Sequence, residues 1–64
     1  MKNMTSGERL RALRGSRSQA EVAEAIGVSQ SAICSYEKGE RIPRDDVKKR
    51  IAKFYNKSVG FIFF

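Results

Sequence analysis

A hydroxyl residue, a short apolar run and a glycine recur three times along the first two-thirds of this chain: Thr5 to Gly15, Ser18 to Gly27 and Ser29 to Gly39. Serine and threonine before a helix accept one of the backbone N–H groups that the first turn leaves unpaired. Glycine after a helix takes the positive φ that ends it. Punctuation this dense leaves room only for short helices. Thr5 with Glu8, and Ser18 with Glu21, add the spacing of a reciprocal capping box. Between these signals Leu10 and Leu13, then Val22, Ala23 and Ile26, then Ile33 and Tyr36 fall on one face of each helix. Lys38 before Gly39 suits a helix C-terminus. Pro43 stiffens a loop, and a fourth helix is predicted over residues 44–55. Its first turn is acidic (Asp45, Asp46), and Val47, Ile51, Phe54 and Tyr55 form its buried face. Asn56 is a left-handed stop, and Ser58 caps a last turn ending in Phe61-Ile62-Phe63-Phe64. Ile62 and Phe63 are expected to fold back onto the core. No strand pattern competes. The expected fold is all-α, a compact bundle of four to five short helices, with residues 1–64 forming one domain.

Composition removes several classes of function. Histidine is absent and there is one cysteine, Cys34. A Cys/His zinc site, a histidine-dependent hydrolase and an internal disulfide are therefore all excluded. The seven carboxylates form no recognisable catalytic pair, so an enzyme is not expected and no cofactor or small-molecule ligand is implied. No apolar run approaches the ~20 residues of a membrane span. The polar start of the chain lacks the apolar core of a signal peptide, so a cytoplasmic protein with no membrane partner is expected.

Charge points to a polyanion. The net charge is +6, from 13 Lys+Arg against 7 Asp+Glu. Five cations (Lys2, Arg9, Arg11, Arg14, Arg17) precede Ser18, and eight (Lys38, Arg41, Arg44, Lys48, Lys49, Arg50, Lys53, Lys57) follow Glu37. Between those positions there is none. Such a neutral segment can enter a nucleic-acid groove while cations on both sides reach phosphates. The same segment satisfies the sterics of two steeply crossed helices joined by a tight turn. Ala23 is small where the backbones approach, Gly27 supplies the turn, and Val28, Ile33 and Tyr36 anchor the second helix. Gln30, Ser31, Cys34 and Ser35 leave that helix a polar outer face.

These residues resemble the lambda-repressor-like, Cro-type helix-turn-helix family, which includes xenobiotic-response-element-type regulators. The match runs Ser18-Gln19-x-x-Val22-Ala23-x-x-Ile26-Gly27-Val28-Ser29-x-x-x-Ile33-x-x-Tyr36-Glu37-x-Gly39, then Pro43, with the motif at about 19–37. The stretch from Ile51 to Phe63 is similar to the last two helices of that family. In two respects the chain departs from the family. The connection from Leu13 to Gln19 is about two residues shorter, and Ser35 replaces a large or basic residue in the recognition helix.

The resemblance implies double-stranded DNA as the partner and a role for each polar residue. Gln30 is the leading base contact, since glutamine pairs bidentately with adenine in the major groove. Ser31 and Ser35 share its face and specify more weakly. Ala32 faces either a thymine methyl or the core. Gln19 is a phosphate contact that also braces Gln30. Arg17, Lys38, Arg41 and Arg44 are the cationic phosphate contacts, whereas Lys48, Lys49, Arg50 and Lys53 read as a solvated helix face. The family pairing of an arginine late in helix one with the glutamate ending the recognition helix falls on Arg14 and Glu37. Cys34 reads as a small neutral side chain rather than a redox switch. Phe61 and Phe64, within the terminal stretch 58–64, are either a homodimer contact or buried in one subunit. The implied function is a phage- or prophage-type repressor binding a pseudo-palindromic operator as a dimer and occluding polymerase. The alternative is an antitoxin-like or accessory DNA-binding module that also engages a protein partner.

Overall fold

The structure, a computed structural model, describes residues 4–64. Lys2 lies outside them. The described residues form five helices and no strand: α1 Ser6–Arg14, α2 Gln19–Ile26, α3 Gln30–Lys38, α4 Asp45–Tyr55 and α5 Val59–Phe63. The caps fall where the hydroxyl residues place them. Thr5 Oγ1 accepts from the Glu8 N–H at 3.2 Å, and Glu8 Oε1 accepts from the Thr5 N–H at 2.8 Å, so the box before α1 is complete. Ser18, Ser29 and Ser58 each accept one N–H at 3.0 Å, from Glu21, Ala32 and Phe61 respectively. Each such cap stabilises its helix by about 1 kcal/mol. Arg44 is the N-cap of α4 rather than its first residue, and makes no capping bond because a guanidinium has no acceptor. Asp45 and Asp46 serve that helix start electrostatically instead. Asn56 closes α4 in the left-handed conformation, φ 57°, ψ 45°.

The apolar faces meet in one core. Leu10, Val22, Ala23, Ile26, Ile33, Tyr36, Val47, Ile51 and Ile62 are all buried, and Ile62 is wholly so at 0% exposure. Leu13, Val28, Phe54, Tyr55 and Phe63 pack against its edge. Fully burying a branched apolar side chain contributes about 1.5–3 kcal/mol, so this shared core outweighs any single cap. Helix α3 lies against both α1 and α2; α2 lies on α4, α4 on α5, and α5 returns to α1. That closed circuit holds α3 from behind and leaves its outer face free.

Two long side chains stitch the circuit. Arg9 on α1 donates to the Ile62 carbonyl at 3.1 Å, and Arg50 on α4 donates to the Ile26 carbonyl at 3.1 Å. Arg50 also pairs with Asp46 at 3.5 Å. Lys48 sits over Phe63 and Phe64, its Nζ 5.5 and 5.1 Å from their ring centres. The cations of α4 therefore divide. Lys49 and Lys53 are a solvated face as expected, but Lys48 is held by Phe63 and Phe64, and Arg50 by the Ile26 carbonyl, neighbours that a helical wheel of α4 does not display. No helix among the described residues is long and apolar enough to cross a membrane.

Candidate nucleic-acid interface

The turn between α2 and α3 is Gly27-Val28-Ser29, with Gly27 at φ 88°. The N–H groups of Gly27 and Val28 both donate to the Ala23 carbonyl, at 2.8 and 3.0 Å. A side-chain-bearing residue resists that φ, so glycine sets the angle at which α3 leaves α2. Val28 then tucks against the core and Ser29 caps α3. The result presents Gln30 and Ser31 at the exposed N-terminus of α3.

A second restraint fixes the far end of α3. Arg14 grips Glu37 with two parallel bonds, Nε to Oε2 at 2.7 Å and NH2 to Oε1 at 3.1 Å. Its remaining terminal nitrogen donates to the Arg17 carbonyl at 2.7 Å. The Gln19 amide nitrogen donates to Glu37 Oε1 at 3.1 Å. The Glu37 carboxylate thus ties α3 to α1 and α2, and Arg14 extends the tie to the α1–α2 loop. Glu37 is 6% exposed at the side chain and Arg14 17%, so the pair is largely shielded from solvent. The hydrogen bond from Arg14 to Glu37 raises the arginine pKa above its ordinary value, outweighing the opposing effect of burial. Close by, burial raises the Tyr55 phenol pKa; the charge on Glu37 pushes the same way, and Arg17 and Arg14 oppose it. The shorter α1–α2 connection does not prevent the pairing, and the same guanidinium also holds that connection at the Arg17 carbonyl. Gln19, expected to brace Gln30, is turned to Glu37 instead.

Gln19, Gln30, Ser31, Ser35 and Lys38 line one open depression along α3, together with Cys34 and Glu40. Ala32 is 5% exposed, which assigns it to packing and removes it from the outer face. Arg41 and Arg44 lie on the opposite flank of α3, around a second depression shared with Gly27, Val28 and Ser29. The Arg41 guanidinium stacks 5.8 Å from the Tyr36 ring centre. Arg44 is 83% exposed at its side chain, with Asp46 3.7 Å away. Arg17 stands apart, its guanidinium 5.3 Å over the Phe54 ring on α4. Phe61 and Phe64 are 56% and 84% exposed on the α5 side, and Phe64 shares a hollow with Lys38, Gly39, Arg41 and Ile42 at the end of α3.

A helix-turn-helix family model matches residues 8–62. The chain belongs to the lambda-repressor-like helix-turn-helix family. Within that family it is 41% identical over 49 residues to the cryptic phage CTXphi transcriptional repressor RstR of Vibrio cholerae. That match spans 73% of this chain but 44% of the relative, so the chain covers under half of the longer protein. Its fold superimposes on the P22 c2 repressor solved in complex with synthetic operator 9T, with TM-score 0.91 and 28% identity over 95% of this chain and 96% of that one. The solution structure of the DNA-binding domain of the same repressor gives TM-score 0.87 and 30% identity, over 97% of this chain and 84% of that one.

Sequence reasoning alone did not locate Glu40, whose carboxylate sits on the rim of the α3 depression. No pattern marks it, because it lies past the end of the motif. A carboxylate there repels phosphate, and the major-groove donors it can accept from are the amino groups of cytosine and adenine.

Proposed function

We propose that this chain is a sequence-specific, double-stranded-DNA-binding transcriptional regulator, a non-enzymatic repressor of phage or prophage type. The observation that carries this is the exposed, uncharged start of α3, flanked by cations, on the fold of a repressor solved with its operator. In this reading α3 enters the major groove. Gln30 reads a base, with Ser31 and Ser35 as secondary contacts. Gln19 and Lys38 bind phosphates on one flank, and Arg41 and Arg44 bind them on the other. Arg17, engaged with Phe54, acts as a brace. Two copies meet through Phe61 and Phe64 on a pseudo-palindromic operator, with half-sites about 34–36 Å apart. Binding blocks access of polymerase, and in this reading the protein works in the cytoplasm at the nucleoid.

Selection of bound sites from a random DNA pool tests the reading. A two-fold symmetric consensus is expected. Gln30→Ala should flatten preference at one base position per half-site, whereas Arg41→Ala should weaken all sequences about equally. Equal binding to random and selected duplex at moderate salt would remove the proposal. A second reading, an accessory module with a protein partner, draws on the exposure of Ile42, Phe61 and Phe64. A partner retained after nuclease treatment of a pull-down would favour it.

A further inference from the structure

Arg11 stands out by what it lacks. The other described cations of α1 and the loop after it are engaged: Arg9 with the Ile62 carbonyl, Arg14 with Glu37, and Arg17 with the Phe54 ring. Arg11 is exposed on the same helix, and among the described residues no hydrogen bond or ion pair engages its guanidinium. It borders a depression between α1 and α3 whose other lining residues are Arg14, Gln19, Cys34, Glu37 and Lys38. Three cations face one carboxylate there, and that carboxylate is already matched by the fork of Arg14.

The polar geometry is pre-set for an anion. A carboxylate only accepts, so Glu37 forces the Gln19 amide to turn its nitrogen inward. One of the two amide hydrogens is used by Glu37, and the second remains for another acceptor. Lys38 and Arg11 supply charged donors from α3 and α1. Gln19, Cys34 and Lys38 also line the depression that holds Gln30, Ser31 and Ser35. The two hollows therefore share three lining residues, and Arg11 borders the one that adjoins the face of Gln30.

We propose that Arg11 is a DNA-phosphate ligand, completing with Gln19 and Lys38 a cradle for one backbone phosphate between α1 and α3. This rests on the DNA-binding reading above and adds to it a residue outside the helix-turn-helix. The cradle extends the contact from the recognition helix to α1, and it uses the Arg14–Glu37 pair as its floor.

Salt dependence tests it without knowledge of the operator. Each phosphate contact contributes about 0.9 to the slope of log affinity against log salt. A mixed-sequence duplex is titrated with wild type, Arg11→Ala, Arg11→Lys and Lys49→Ala. Lys49 is exposed on α4 and its loss removes the same charge. The Arg11→Ala slope should be shallower by about 0.9, which makes the affinity lost between about 50 and 200 mM salt roughly 3.5-fold smaller. Arg11→Lys should keep the wild-type slope, and Lys49→Ala should leave it unchanged. Circular dichroism confirms folding, since an exposed helical arginine tolerates alanine. A wild-type slope in Arg11→Ala, or an equal drop in Lys49→Ala, overturns the cradle. Failure of the wild type itself to bind duplex at low salt overturns the parent reading instead.

Discussion

Glu37 shows how one side chain can serve both stability and function. Its carboxylate is nearly buried, and it is tolerable there because Arg14 and Gln19 supply three donated bonds. Removing one partner leaves a shielded charge unmatched. Arg14→Ala should therefore destabilise the fold by about 3 kcal/mol, the low end of the range for buried pairs, because Arg14 keeps a path to solvent. A double-mutant cycle with Glu37→Gln, read by urea unfolding, should show coupling above about 1 kcal/mol; additive losses would dissolve the pair. Tyr55 gives a separate signature. Its phenol pKa is raised in the fold, so at alkaline pH the unfolded chain loses that proton first. Stability from this group is complete below the ordinary tyrosine pKa near 10 and declines as pH rises through the folded value. Tyr55→Phe should remove that part of the alkaline decline while leaving the neutral range flat. An identical pH profile for the two proteins would show that the phenol is not coupled to folding.

At the scale of elements, the fold depends on how closely α1 approaches the end of α3. Gly7 is buried against that end, and a Cβ built on it would collide with the Glu37 carbonyl oxygen and stand 2.9 Å from the Tyr36 carbonyl. Both neighbours are backbone atoms, so neither yields without moving the end of α3. Gly7→Ala should cost about 1–3 kcal/mol and lower DNA affinity by shifting the last turn of α3. Gly60→Ala is the control. Its Cβ would meet only Ser58 Oγ at 4.0 Å, and alanine favours the helix. Equal stability of the two variants would mean that α1 is not seated as described. The helices themselves were legible because their signals are local: Ser18, Ser29 and Ser58 cap by bonding three residues ahead, and Asn56 stops α4 by its own conformation. Gly7 was not legible, because its constraint comes from residues about 30 positions away and glycine early in a helix reads as neutral. The partners of Arg9, Arg17, Lys48 and Arg50 were hidden for a similar reason. A long cation can reach several places, and only the assembled fold decides which carbonyl or ring is near. Arg14–Glu37 came from family resemblance, and no spacing rule would have joined the two.

Over the whole molecule, the exposed apolar side chains lie among cations, and the behaviour of the proposed dimer follows from that mixture. Ile42, Phe61 and Phe64 are 79%, 56% and 84% exposed, while Lys57 and Lys48 lie 5.3 and 5.1 Å from the Phe61 and Phe64 rings. These aromatics offer area for a two-fold contact, but each copy also brings a net charge of +6. Mutual repulsion weakens association in free solution, and DNA phosphates between the copies cancel it. Dimerisation should therefore be seen chiefly on the operator, as cooperative occupancy of two half-sites. Inserting about five base pairs between the half-sites turns the second by half a helical turn and carries it to the opposite face of the duplex. Cooperativity should then vanish, leaving two weak independent sites, and Phe64→Ser on the unaltered operator should give the same pattern. Sedimentation with and without the duplex would report the corresponding stoichiometries. If Phe64→Ser bound as cooperatively as the wild type, the contact between copies would have to lie away from α5, and the exposed aromatics would belong to another partner.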